Sequence, residues 1–326
     1  MKILVTGGSG TLGGYVLREL LAAGHEVAEY SRTAPRILGV EFIAGDIFEV
    51  EKIEKACRGR DVIIHMAAIP GPGRATPPEM IRINVAGTVQ VLEAAKAAGA
   101  QKFVLASSGA ASGFSFQKRL ILPRYLPLDE DHPAEPQDEY GLSKLQAELA
   151  CKRYSDAFEM QSICLRLNHN WYLDRAGAEA AVGTGWAKQF TCIEDLWRRR
   201  YWKAIMEPEG DWPTPGPPRP SYLLWAVTDA RDAAQAFRLA AENETVRHGV
   251  FQINADDACS LEETPGLLSR YFPNVPMKTP LRNFDSVVSH LKATQVLGYR
   301  PQHTWRKGDF ADWMVSQEFQ AETGRG

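Results

Sequence analysis

Apolar residues follow a strand spacing and a helix spacing by turns along the first half of the chain. Residues 3–6 form a short β-rich run, and residues 11–23 then place Leu12, Val16, Leu17, Leu20 and Leu21 at helical spacing before Gly24 ends the pattern. Short buried strands are predicted at 26–30, 41–44, 62–65 and 102–106. The alanine-rich stretch 81–98, closed by Gly99, reads as the clearest helix of this half. A second strong helix is expected over 140–158 and a sixth strand over 161–167. Such alternation implies right-handed crossovers and a parallel sheet, so the expected class is α/β, a doubly wound parallel sheet with a smaller C-terminal lobe.

Beyond residue 170 the periodicity changes. Residues 171–225 hold six of the eight tryptophans, the run Arg198-Arg199-Arg200 and the stretch Trp212-Pro213-Thr214-Pro215-Gly216-Pro217-Pro218. We read 171–222 as a Trp/Pro-rich substrate lobe or lid followed by a rigid loop. The arginine run fits a solvated helical face, or else one arginine recognises a carboxylate or phosphate. Residues 223–326 are mixed, part returning to the main domain and part to the lobe, with helices expected at 229–241, 261–271 and 310–319 and a strand at 250–254.

Composition narrows the classes. The 326 residues are 44% apolar and 24% charged, which is globular, and two lobes fit that length. With 37 basic against 40 acidic residues the formal charge is -3, which supports no nucleic-acid partner. The cysteines at 57, 151, 164, 192 and 259 lie too far apart for a disulfide framework or a metal-binding knuckle. The amino terminus runs into structure too soon for a signal peptide, and no apolar window approaches membrane-spanning length. A soluble protein of the reducing cytoplasm is therefore expected, without a membrane partner.

Thr6-Gly7-Gly8-Ser9-Gly10-Thr11-Leu12-Gly13 sets glycines at 7, 10 and 13 between the first strand and its helix. Gly7 permits the sharp turn, Gly10 lets a pyrophosphate approach the backbone, and Gly13 lets the helix pack on the sheet. The free N–H groups of the first helical turn then meet the diphosphate at the positive end of the helix dipole. Residues 1–170 are accordingly read as a Rossmann-type dinucleotide-binding domain. At the end of the second strand, where an acid would accept from the adenosine ribose of NAD, stands Tyr30-Ser31-Arg32. Arg32 beside Ser31 favours NADP through a 2'-phosphate, while the nearby Glu29 leaves NAD open. Asp46 either accepts from the adenine amino group or caps the helix that starts near Glu49.

With Tyr140-Gly141-Leu142-Ser143-Lys144 added to the turn, the sequence resembles the extended short-chain dehydrogenase/reductase family, the NAD-dependent epimerase/dehydratase group. The likeness is strong over 1–170 and looser over 223–310. His65-Met66-Ala67-Ala68 resembles the family's segment after the fourth strand, Asn84-Val85-Ala86-Gly87-Thr88 its following helix, and Ala106-Ser107-Ser108-Gly109-Ala110 the end of its fifth strand. The stretches from Leu165 to Asn170 and from Val227 to Asp232 echo later signatures. The resemblance implies that Tyr140 exchanges a proton with the substrate oxygen, that Ser108 is its hydrogen-bonding partner, with Ser107 as the neighbouring alternative, and that Lys144 holds the nicotinamide ribose. It implies cofactor contacts from Thr11, Leu12, Asp46 and Ile47, and from Ala67, Ala68 and Asn84, beside the glycines, Ser31 and Arg32. His169 and Asn170 follow the sixth strand, where open α/β sheets place ligands, and are read with Ser108 and Gly109 as substrate contacts.

Chemistry supports the pair independently. A tyrosine and a lysine four apart share a helix face, and a cation beside a phenol favours its charged form. Asp138 and Glu139 read as capping charges at the start of that helix. His65 reads as structural, since no second ligand falls at metal spacing, and no metal is expected.

Two departures from the family bear on the reaction. Many nucleotide-sugar members carry a Tyr-Gly-Pro turn after the sixth strand, where this chain has Asn168-His169-Asn170-Trp171-Tyr172. Family dehydratases carry an acidic pair right after the catalytic hydroxyl residue, where this chain has Gly109 and Ala110, so elimination of water lacks its acid and base. The leading expectation is net oxidoreduction of a small sugar-like alcohol or carbonyl compound. Sugar or nucleotide-sugar epimerisation is the alternative, and a non-enzymatic NADP-binding regulatory or scaffold protein is the rival of another class. The resemblance also implies a homodimer through the helices holding Asn84 and Tyr140.

Overall fold

The computed structural model of the chain describes residues 1–35, 37–172, 222–308 and 311–312. Its main sheet is built from β1 (Lys2–Thr6), β2 (Glu26–Ser31), β3 (Glu41–Ala44), β4 (Val62–His65), β5 (Lys102–Ser108), β6 (Gln161–Leu167) and β9 (His248–Ile253). These seven strands run parallel in the order β3-β2-β1-β4-β5-β6-β9. A separate two-stranded ladder joins β7 (Asn170–Trp171) to β8 (Thr228–Asp229). The order reverses direction between β1 and β4, where Thr6 lies opposite His65. Open parallel sheets bind ligands outside the carboxyl ends of the strands at such a reversal.

Alternation along the strands explains the layers. Ile3, Val5, Ile64 and Val104 face one side and pack with Val16, Leu17 and Leu20 of α1 (Thr11–Ala22) and Phe237 of α6 (Ala230–Glu242). Leu4, Ile63, Phe103 and Leu105 face the other, against α2 (Val50–Cys57), α4 (Gly87–Ala97) and α5 (Glu139–Phe158). A strand covered on both faces must be apolar at nearly every position, which is why these strands read as runs and not as alternations. A third cluster, from Phe114 and Leu128 to Trp171, Trp225, Tyr271 and Trp305, forms beside the carboxyl edge and includes α7 (Thr264–Tyr271).

The expected elements are found with three differences. The helix expected over 81–98 is broken into α3 (Pro77–Ile81), a π-helical turn (Arg82–Ala86) and α4. The wide turn directs Asn84 inward, where its amide grips the backbone of Ile69 from both sides and donates to Ser143 Oγ at 3.0 Å. Helix α7 starts at Thr264, later than the spacing predicts, with Pro265 in its first turn. Finally, α8 (Leu291–Leu297) and the β7–β8 ladder are too short for any periodicity to announce. Of the lobe or lid expected at 171–222, residues 173–221 with the arginine run and Cys192, and most of the helix expected at 310–319, lie outside the described residues. No helix among those described is long and apolar enough to cross a membrane.

One buried ion pair ties α5 to the sheet. Arg166 on β6 donates twice to Glu148, at 2.9 and 2.8 Å, and Ser107 Oγ donates to the same carboxylate at 2.5 Å. Arg166 and Gln252 both donate to Ser112 Oγ, and Asn168 donates to Gln252. Glu148→Ala should destabilise the protein by about 3–5 kcal/mol, because it leaves a guanidinium buried without its countercharge. Denaturant unfolding checks this, and a loss below about 1 kcal/mol would mean that water reaches Arg166.

Candidate active site

The glycine turn is shaped by backbone contacts that leave no room for side chains. Gly7 has φ +78°, and a Cβ there would lie 2.7 Å from the Ala67 nitrogen. At Gly13 a Cβ would lie 2.4 Å from the Gly8 oxygen, so only glycine lets α1 rest on the turn. Gly10 differs: a Cβ there would meet only the Gly7 oxygen, at 3.2 Å. It is the N-cap of α1, with no side-chain cap and no acid in the first turn. The first-turn N–H groups of α1 therefore have no side-chain cap at the positive helix end, which suits a diphosphate.

At the next crevice the sheet delivers a hydroxyl, a phenol and an ammonium. Ser108 closes β5 and its Oγ accepts from Ala110 N at 3.2 Å, capping the 3-10 turn Gly109–Ser112. Helix α5 begins against that turn: Asp138 caps it through Gly141 N at 2.8 Å, and a Cβ on Gly141 would lie 2.6 Å from the Ala110 oxygen. Glu139 accepts from Gly73 N at 3.2 Å. This seating carries Tyr140 to Ser108, whose side chain favours the ionised phenol. Strand alternation turns Ser107 away to Glu148, so Ser108 is the serine brought to the tyrosine.

Burial governs the charges here. It pushes the Tyr140 phenol above its usual value, with Asp138 adding to the rise and Ser108 and Arg74 opposing it. The downward shift expected of Tyr140 from a neighbouring cation is thus outweighed by desolvation. Lys144, its ammonium 5.7 Å from the Tyr140 ring centre, is itself lowered to about 8 by burial, against the pull of Glu148. Its Nζ donates to the Ala106 carbonyl at 2.8 Å, which leaves further N–H donors for a ribose.

The other expected residues are placed as follows. Ala67 and Ala68 follow β4 beneath Gly7, and Ala67 N donates to Thr6 Oγ1 at 3.4 Å. Asn84 commits its amide to Ile69 and Ser143, so it sets the loop after β4. Asp46 accepts from Phe48 N at 3.0 Å, forming a turn, while Glu49 takes the N-cap of α2. Ile47 packs where a side chain on Gly87 would stand. Ser31 donates to the Thr33 carbonyl at 2.7 Å, and Arg32 is exposed. His169 and Asn170 lie past β6, where Thr228 N donates to the His169 carbonyl at 3.1 Å. Sequence reasoning missed Arg74, whose charge reaches Tyr140, and the Glu148–Arg166 pair. Only the second left a signal, an acid one helical turn beyond Lys144 and an arginine inside an apolar strand.

The sequence profile of the NAD dependent epimerase/dehydratase family matches residues 3–189. The chain belongs to this family. It is an enzyme of the extended short-chain dehydrogenase/reductase type. A UDP-glucose 4-epimerase of Corynebacterium glutamicum is 29% identical over 321 residues, covering 93% of this chain and 92% of that protein. Among solved structures, a short-chain dehydrogenase/reductase superfamily protein of Agrobacterium tumefaciens with bound NAD has a TM-score of 0.68 at 23% identity, each chain covered fully (100%). A UDP-glucose 4-epimerase of Thermus thermophilus, in complex with NAD, has a TM-score of 0.65 at 24% identity, covering 94% of this chain and 96% of that one.

These family members correct one expectation. NADP is overturned, since the related structures solved with a dinucleotide hold NAD. The physical reason lies at the end of β2, where no anchor for a 2'-phosphate is built: Arg32 is exposed and Ser31 spends its hydroxyl on the Thr33 carbonyl. An NAD(P)-dependent oxidoreductase or epimerase of this type is what the family supports.

His65 allows a test of how dry this edge is. Its Nδ1 is 2.7 Å from Thr6 Oγ1, and burial, with the Lys144 charge second, lowers its pKa from 6.5 to about 3. The unfolded chain takes up this proton near pH 6.5 and the folded one only near 3. His65 therefore contributes stability above that window that is lost as pH falls through it. Denaturant melts between pH 7 and 4 should show stability falling with pH, with a shallower slope in His65→Gln. An unchanged slope would show that His65 titrates normally.

Proposed function

We propose that this family member is an NAD-dependent epimerase acting on a sugar carried by a nucleotide. What carries the reading is the meeting of Ser108, Tyr140 and Lys144 beside an uncapped, glycine-lined helix start, in a chain similar over nearly its whole length to a UDP-glucose 4-epimerase. NAD fits the residues present: Gly7, Gly10 and Gly13 hold side chains clear of the diphosphate, and the start of α1 has neither a side-chain cap nor an acid in its first turn. Bound there, NAD supplies a hydride acceptor that can return the hydride.

The chain's own groups handle the proton. Tyr140 accepts it from the sugar hydroxyl as the carbon gives up hydride, and Ser108 orients that oxygen. Lys144 donates to the nicotinamide ribose and stabilises the tyrosinate. Tyr140 would hand the proton back to the same oxygen when the hydride returned to the opposite face, so that the carbon would be inverted without net oxidation. Gly109 and Ala110 offer no acid or base, so water is not eliminated. In this reading residues 1–170 hold the dinucleotide, and 171–222 with part of 223–326 contact the sugar nucleotide.

Incubation with UDP-glucose or UDP-galactose and NAD should yield the other epimer by NMR, with no lasting rise in reduced-nicotinamide absorbance. Tyr140→Phe should slow this by about 10²-fold or more, since it deletes the transferable proton and keeps the ring. Stoichiometric reduced cofactor with an oxidised product would assign a dehydrogenase instead.

We further infer a homodimer through α4 and α5, because Leu142 and Leu149, seven residues apart on α5, are exposed at 42% and 58%. Sedimentation should give a dimer for the native chain and a monomer for Leu142→Glu/Leu149→Glu. A native monomer would reject the assignment.

A further inference from the structure

Lys144 and Glu148 stand one helical turn apart on α5, and both are buried, at 6% and 4% exposure. Two successive residues of β5 receive them. The Ala106 carbonyl accepts from Lys144 Nζ at 2.8 Å, and Ser107 Oγ donates to Glu148 Oε1 at 2.5 Å. Arg166, arriving from β6, holds both oxygens of the carboxylate. Its pairing with Glu148 is a fixed dipole whose negative end lies on the helix that carries Lys144. An ammonium taken out of water sheds its proton more readily, and burial lowers Lys144 to about 8. Glu148 is the charge that opposes this fall. Of the other groups packed there, Tyr140 on α5 has its phenol pushed up by burial and His65 on β4 is held neutral. Strand β5 offers a carbonyl and a hydroxyl, neither of them charged.

We propose that Glu148 is a positioning residue of the reaction centre: clamped by Arg166 and Ser107 one turn from Lys144, its carboxylate keeps the buried lysine an ammonium. Charged, Lys144 has N–H donors left for a ribose beside the one given to Ala106, and it favours the ionised form of Tyr140. Neutral, it would lose a donor and its hold on the phenol's charge together. Glu148, with both oxygens engaged, acts through Lys144. This role accounts for an ion pair at a place where packed apolar residues would hold α5 to β6 as well. It rests on the reading that Lys144 serves the reaction proposed above, while the charge on Lys144 can be measured without turnover.

NMR titration of the lysine ε-carbons in the full chain, with the Lys144 signal identified by its loss in Lys144→Met, reads that charge. The native signal should titrate near 8. Glu148→Gln keeps an oxygen for Ser107 and removes the charge, so the titration should move down by about one pH unit or more, about a tenfold loss of the ammonium form on its alkaline side. Glu148→Gln/Arg166→Met should show the same direction and leaves no guanidinium buried alone, which covers the case in which the single variant does not fold. Glu148→Asp keeps the charge and should stay close to the native value. The alkaline limb of epimerisation should move to lower pH in step with Lys144, with activity regained on acidification. Melting curves of each variant confirm folding. An unmoved Lys144 titration in a folded Glu148→Gln or double variant, or a native Lys144 titrating at the ordinary lysine value, would reduce Glu148 to a clamp of α5 and overturn the proposal. Absence of epimerisation by the native chain, with the titration shifting as expected, would instead remove the reading of the reaction.

Discussion

Backbone lying against backbone at the carboxyl edge of the sheet is the constraint on which the rest of this structure depends. The turn at Gly7 touches the chain at Ala67, Gly13 rests on Gly8, and Gly141 rests on the Ala110 carbonyl. At none of these points is there space for a single methyl group. The first two contacts hold α1 so that its N-terminus opens on the crevice, and the third holds α5 so that Tyr140 meets Ser108. An uncapped helix start and the approach of Tyr140 to Ser108 thus arise from one packing condition applied at two neighbouring strand ends.

Desolvation follows from that close packing and sets the electrostatic character of the edge. His65 is held neutral, the Tyr140 phenol is raised, and Lys144 is brought down to about 8. Where a charge must be kept, it is paired: Glu148 and Arg166 lock α5 to β6 through two hydrogen bonds, with Ser107 as a third donor to the same carboxylate. Glu29 stands out against this background because it alone among the described carboxylates has both oxygens buried and unsatisfied.

The two adjacent serines show how finely side-chain direction divides structure from chemistry. Ser107 and Ser108 are chemically identical, and one peptide step along β5 sends the first into the buried ion pair and the second to the tyrosine. The chemical role is assigned by the pleat and not by the residue type.

The sequence by itself determined the parallel α/β class, the strand-turn-helix at Gly7, Gly10 and Gly13, and the family membership carried by Tyr140, Lys144 and the motifs around them. Those features are local: a periodicity of apolar positions, a glycine where no side chain fits, two residues one helical turn apart. It misjudged the cofactor, since Ser31 and Arg32 read along the chain suggest NADP, and nothing in the residue types reveals that Ser31 spends its hydroxyl on the Thr33 carbonyl while Arg32 stays exposed. Tertiary structure alone decided which serine meets Tyr140, which charges lose their water, that Asn84 sits in a wide turn gripping Ile69, and that Arg166 pairs with Glu148. Each of these depends on what approaches from another strand or helix, and desolvation and pairing exist only once those elements have come together.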